Sequence, residues 1–206
     1  DAASTNDSHG PGRHRYLVAR DILEADLVVN VPKLKAHKKA GITCCLKNLI
    51  GINGNKEYLP HHRKGAADAG VGDNYEHRYW QMDLAEGVLD LADRMRSHPR
   101  LHRFAERVVW WLMHFPAKQD PSVQIDGSWC GNDTIWRTCL DLNRALLYAD
   151  RSGRMCDTTQ REEISVADAI VTGQGEGPLA PEPLETGAVY CVRNPVVGDY
   201  VGARIL

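Results

Sequence analysis

No Cys-x-x-Cys pair occurs in the chain, although it holds six cysteines: Cys44, Cys45, Cys130, Cys139, Cys156 and Cys191. Zinc knuckles and ferredoxin-type runs use that spacing to bring neighbouring thiolates onto one metal or cluster, so both are excluded. The sequence itself is therefore expected to ligate no iron–sulfur cluster. Long apolar runs are also missing. The densest, Val108 to Met113, is far short of the roughly twenty residues that cross a bilayer, and nothing resembles a signal peptide. The glycines of GQGEGP (173–178) match neither a dinucleotide fingerprint nor a P-loop. The order is wrong, a Pro-rich stretch follows instead of a helix, and no Gly-Lys-Ser/Thr is present. Internal repeats and low-complexity tracts are absent as well.

What is present is ordinary globular composition: 206 residues, 43% hydrophobic and 25% charged. One α/β domain spanning 1–206 is the expectation, cytoplasmic, with its thiols reduced. The chain starts at Asp1 and stops at Leu206 inside an apolar helix. It therefore reads as the C-terminal part of a longer domain.

The formal net charge of −2 hides an asymmetry. Between Lys33 and Lys64 there are eight Lys or Arg and one acid, Glu57. That is a local charge of +7 and leaves −9 on the rest. Such an excess draws anions: phosphate, carboxylate or a nucleic-acid backbone. Nucleic acid is the disfavoured partner, because Tyr58 is the segment's one stacking aromatic and the remainder is acidic.

Ala25 to Val31 is a β-branched apolar run, read as a buried strand that Pro32 ends. The basic segment thus begins at a strand's carboxyl end, where ligands gather in open α/β sheets. Helical spacing runs over Tyr16–Leu23 and over Gly41–Ile50, where Ile42, Cys45, Leu46 and Leu49 share a face. HHRKG and residues 66–74 read as an exposed, mobile loop. Helices are expected over Glu76–Ser97 and Leu101–Phe115, the latter ended by Pro116, so that a helical excursion fills about 76–116. Asn132 or Asp133 is positioned to cap a helix reaching Ala149. Strands follow at Ile164–Val171 and Ala188–Val192, separated by the GQGEGP turn and a Pro-rich link. Asn194–Pro195 is a strong helix start. The implied sheet is mixed or mostly parallel, with flanking helices.

Candidate site residues follow from this frame. On an extended PKLKAHKK, Lys33, Lys35 and His37 share one face and form an anion clamp. On a helix, Thr43 and Lys47 lie four residues apart and hold an oxyanion between them, with Asn48 and Asn53 orienting the ligand. His37 and His61 titrate near neutrality and move protons, together with Lys47. Arg63 adds charge. Gly175 lets the backbone approach a ligand, and Glu176 and Asp199 are candidate Mg²⁺ ligands. Helix 101–115, with Trp110, Trp111 and its arginines, is read as packed on the body of the domain in preference to a membrane surface.

The segment ADLVVNVPKLKAHKKAGITCCLKNLIGINGNKEYLPHHR (25–63) resembles the signature of the family called domain of unknown function 362. ISVADAIVTGQGEGP and RNPVVGDYVGARIL resemble its later signatures. The resemblance covers roughly 14–63 and 125–206 and is weak over 77–120. It implies an upstream strand-rich half with a Lys-Pro-Asn element, absent from this sequence. It also implies an iron–sulfur partner, since some members carry a ferredoxin-like run. Where the family shows small residues after Gly-Ile-Thr, this sequence has Cys44 and Cys45, read as packing substitutions or as a reactive thiol at a helix start. The functional expectation is action on a small anionic metabolite, phosphorylated or carboxylated. The alternative is a redox-partner module.

Overall fold

The structure, a computed structural model, describes residues 8–70, 72–119, 123 and 127–206. The sequence also reads as loop over 1–12 and 117–131, and of these, residues 1–7, 120–122 and 124–126 lie outside the described set, as does Val71. The chain divides into two compact units. One comprises Arg15–Leu59 with Ile135–Leu206, and the other Asp1–His14 with Pro60–Thr134.

The first unit is a mixed α/β sheet. The expected strand forms as β3 (Leu27–Asn30), after the short hairpin β1 (His9–Gly10) and β2 (Arg13–His14) of the other unit. It is not the buried strand expected, because Leu27, Val29 and Val31 are exposed and only Asn30 is buried. Helix α1 (Arg20–Glu24) occupies part of the expected helical stretch. Val31 and Pro32 interrupt the strand, and β4 (Lys33–His37) continues in the same direction. Both pair parallel with the long β6 (Glu162–Glu176), Asn30 opposite Ser165 and Lys33 opposite Asp168. Strand β7 (Ala180–Val192) pairs antiparallel with β6 over Ser165–Glu176, so it takes the other side of β6 and leaves β3 and β4 in line along the first. The short β5 (Gly41–Thr43) pairs antiparallel with β4. The sheet is therefore mixed, with two parallel and two antiparallel pairings.

Three expectations are corrected here. Gly41–Ile50 is not one helix. Its 3.6-residue apolar spacing is met by β5, the four-residue helix α2 (Cys45–Asn48) and a 3₁₀ turn, Leu49–Ile52. GQGEGP is not a turn up to Glu176 but the end of β6. The Pro-rich link is the first half of β7. Proline cannot donate to a ladder, yet β7 is an edge strand with one side unpaired, so Pro181 and Pro183 are tolerated.

On β6 the buried positions alternate as Glu163, Ser165, Ala167 and Ala169. This face is small and polar, not bulky. Ala167 and Ala169 pack with Leu34, Cys44 and Cys45, flanked by Tyr190, Val192 and Ile205. A second cluster joins Leu49 and Ile52 to Leu142 and Leu146 of helix α5 (Ile135–Tyr148). Helix α6 (Pro195–Ile205) starts as expected, with Asn194 accepting from the N–H groups of Val196 and Val197 and proline at the first position. Its Gly198 and Gly202 leave room for sulfur. A Cβ on Gly198 would lie 2.5 Å from Cys45 Sγ, and one on Gly202 3.3 Å from Cys44 Sγ.

The second unit holds the helical excursion as α3 (Trp80–Arg94) and α4 (Pro99–Gln119). Residue 116 does not end α4. A proline costs a helix interior about 3 kcal/mol, and this 21-residue helix is held by the packing of its Val109 and Leu112 against Ala85. Trp110 and Trp111 lie off that packed stripe, 62% and 55% exposed, and stack on His114 and Phe115. The 66–74 run is not simply an exposed loop, because Ala66, Gly72, Asp73 and Asn74 are buried. Asp73 organises the loops: it accepts from the N–H of Arg63, the N–H of Asp133 and the hydroxyl of Thr134.

Removing the α6 cap tests this frame. Asn194→Ala is expected to cost about 1 kcal/mol, read as a lowered urea midpoint, while Asn194→Ser stays near native.

Candidate functional site

The site is built where β4, β5 and α2 meet. Lys35 and Thr43 are directly paired across β4 and β5, and His37 pairs with Gly41. The Thr43 hydroxyl is buried and has no hydrogen-bond partner. Helix α2 then carries Lys47 and Asn48. Thr43 and Lys47 are thus not one helical turn apart on a common face, as the sequence spacing had it, but sit on a strand and on the short helix after it.

His37 is 7% exposed, not a solvated residue. Its Nδ1 accepts from the backbone N–H groups of Lys39 and Ala40, at 3.2 and 3.3 Å. Burial first, then the cations of Lys47, Lys39 and Lys35, push its pKa down to about 4. The imidazole is therefore neutral at pH 7. With Nδ1 taken as an acceptor, Nε2 carries the proton.

Lys47 lines a cavity of about 210 Å³ with Ala40, Ile42, Leu46, Trp136, Cys139, Leu140 and Asp199. Among the described residues its ammonium makes no hydrogen bond or ion pair. Burial lowers its pKa, the Lys35 cation adds to this, and only Cys139 opposes. Asp199 moves the other way. Burial raises its pKa, against the N–H groups of Leu46 and Cys45 that hold it. Cys139, on the same wall, is pushed up to about 11 by burial.

Behind the cavity runs a buried polar chain that the sequence did not suggest. Asn48 Nδ2 donates to Asn30 Oδ1 at 2.7 Å. Asn30 Nδ2 donates to Cys45 O at 2.9 Å and Ser165 Oγ at 3.0 Å. Ser165 in turn donates to Glu163 Oε1. Asn30 and Glu163 are each 4% exposed, and Glu163 Oε2 is unpartnered. Burial raises the Glu163 pKa. The only sequence signal was polar residues at buried phase within two apolar strands.

The remaining candidates fall elsewhere. Lys33 is taken by Asp168, at 2.8 Å, and Glu176 by Lys38. The Glu176 pairing depends on Gly177, whose absent Cβ would lie 2.0 Å from Ala36 O. Gly175, at φ +70°, belongs to the same strand end. Asn53 is spent on backbone, accepting from Leu17 N and donating to Asn55 O. His61 and Arg63 belong to the second unit. There the His61 carbonyl accepts from Asn132, and the Arg63 guanidinium lies 4.0 Å from Asp133. Lys35, His37, Thr43, Lys47 and Asn48 are thus the candidates that the first unit brings together.

The match to known families can now be placed on this geometry. Residues 3–204 match the model of a domain of unknown function, DUF362. The chain belongs to that family. No curated protein and no solved structure matches it. In this DUF362 chain the matched span contains both units and every candidate residue. Among its described residues, no helix is long and apolar enough to cross a membrane.

The depressed His37 pKa has a consequence for stability. The unfolded chain binds a proton near pH 6.5 that the folded chain refuses until about pH 4. Stability is thus intact above pH 6.5 and falls as pH drops towards 4. His37→Asn keeps an acceptor for the two N–H groups and removes the titration. Urea midpoints at pH 7 and pH 5 are expected to differ less in His37→Asn than in the native chain.

Proposed function

We propose that the cavity beside Lys47 binds a small anionic metabolite, carrying a phosphate or a carboxylate. One observation carries this reading: a half-buried ammonium that makes no hydrogen bond or ion pair among the described residues, even with Asp199 on the same cavity wall. A charge removed from water without a partner is costly, and such groups persist where a ligand supplies the opposite charge. Lys35 adds a second cation. Thr43 and His37 lie on the neighbouring strands and do not line the cavity itself. Asn48, whose Nδ2 is held by Asn30, anchors the helix that carries Lys47.

Size narrows the class. Pockets for drug-sized ligands run from about 300 to 1,000 Å³, so about 210 Å³ suits a compact metabolite or the anionic end of a longer one. Proton traffic in this reading belongs to Lys47 and Asp199. Burial makes the ammonium easier to deprotonate and the carboxyl easier to keep protonated, which brings the two groups closer in acidity than they are in water.

Lys47→Met tests the reading from two sides. Without ligand, the variant is expected to melt above the native chain, because an unpaired buried charge becomes an apolar side chain. In a thermal-shift panel of phosphorylated sugars, nucleotides and dicarboxylates, the native chain is expected to gain about 2.7 kcal/mol at a hundredfold excess over Kd. Lys47→Met is expected to gain nothing. A ligand that stabilises both equally would sink the proposal.

A further inference from the structure

On the core side of the sheet, Cys44, Cys45 and Asp199 present two sulfurs and a carboxylate oxygen within 4.8 Å of one another. We propose that these three side chains form a binding site for a thiophilic divalent cation of the zinc class, distinct from the Lys47 anion site though sharing Asp199 as a boundary.

Adjacent side chains on an extended chain point to opposite sides. Two vicinal thiols share a space only if the backbone turns between them, and it does. Cys44 sits at φ −152° and ψ −138°, between β5 and α2, and leaves the two sulfurs 3.7 Å apart. Sulfurs bound at 2.3 Å to one tetrahedral ion stand about 3.8 Å apart. The pair is already at that spacing.

Asp199 arrives from α6. Its Oδ1 accepts from Leu46 N at 3.1 Å, which fixes the carboxylate and leaves it able to ligate. No cationic side chain pairs with it among the described residues, so a half-buried carboxylate and two fully buried thiols lie together. The Tyr190 hydroxyl lies 3.1 Å from Cys44 Sγ and donates to Gly198 O. With its own hydrogen on Gly198 O, it accepts from the Cys44 thiol. Gly198 and Gly202 provide the clearance that any larger residue would close.

The donor set selects the ion. Two thiolates favour zinc-class cations over Mg²⁺ or Ca²⁺, whose sites are built from oxygen. Three protein ligands leave a fourth position on a tetrahedral ion. Asp199 lines the cavity next door, which gives the cation an entry path.

Cobalt(II) is the probe, added to the full chain under a phosphine reductant so that the thiols stay reduced. The expected result is one Co²⁺ per chain with a thiolate-to-metal charge-transfer band, both displaced by Zn²⁺. Cys45→Ala abolishes the band. Cys130→Ser and Cys191→Ser, at exposed positions, leave it unchanged. Asp199→Asn keeps the acceptor for Leu46 N, so it guards against a folding defect in the cysteine variant, and weakens Co²⁺ binding roughly tenfold or more. Absence of the band in native protein that is folded by circular dichroism overturns the proposal, and so does a band that survives Cys45→Ala. Neither result bears on Lys47→Met and its anion panel, so the two sites stand or fall separately.

Discussion

Asn30 is the residue on which the rest of the sheet unit hangs. Its amide donates to the Cys45 carbonyl and the Ser165 hydroxyl, and its carbonyl accepts from Asn48. These bonds tie the end of β3 to β6 on one side and to α2 on the other. Helix α2 is only four residues long and could not hold its position by its own hydrogen bonds. Asn30 pins it, and α2 in turn fixes Lys47 at the cavity and offers Leu46 N to Asp199.

The network is also why the buried face of β6 is polar. A hydroxyl or carboxyl taken out of water needs hydrogen bonds, and Glu163, Ser165 and Asn30 bond one another in sequence, with Glu163 Oε2 left over. An apolar replacement would fill the space equally well but would leave α2 unanchored. The chain of bonds therefore positions the site, while the small residues beyond it, Ala167 and Ala169, let the Cys44–Cys45 turn approach the sheet.

Much of this frame was legible. A β-branched run ended by proline gave β3, and Asn194–Pro195 gave the start of α6, because capping and ring constraints act within a few residues. The basic segment led to Lys35, His37 and Lys47 through local charge and strand position. Spacing failed where two elements share one period. Ile42, Cys45, Leu46 and Leu49 fit a helix equally well as a strand followed by two short turns. Prolines at 181 and 183 hid β7, since only tertiary pairing reveals which edge of a strand needs its donors. The fates of Lys33, Glu176 and Asn53 were out of reach for the same reason. Their partners Asp168, Lys38 and Leu17 are assigned by register and chain crossing, which no linear pattern encodes.

The alternation on β6 has a consequence for how such a sequence can drift. Ser165, Ala167 and Ala169 are fully buried facing Asn30 and the cysteine turn, and Gly198 and Gly202 face it from α6. Substitutions at these five positions are confined to residues no larger than the present ones, and each constrains the others. Leu27, Val29 and Val189, on exposed positions of neighbouring strands, are free of that coupling. Sequence change in this sheet is therefore one-sided. One face behaves as a lock whose parts must vary together, and the other as a surface whose residues vary independently.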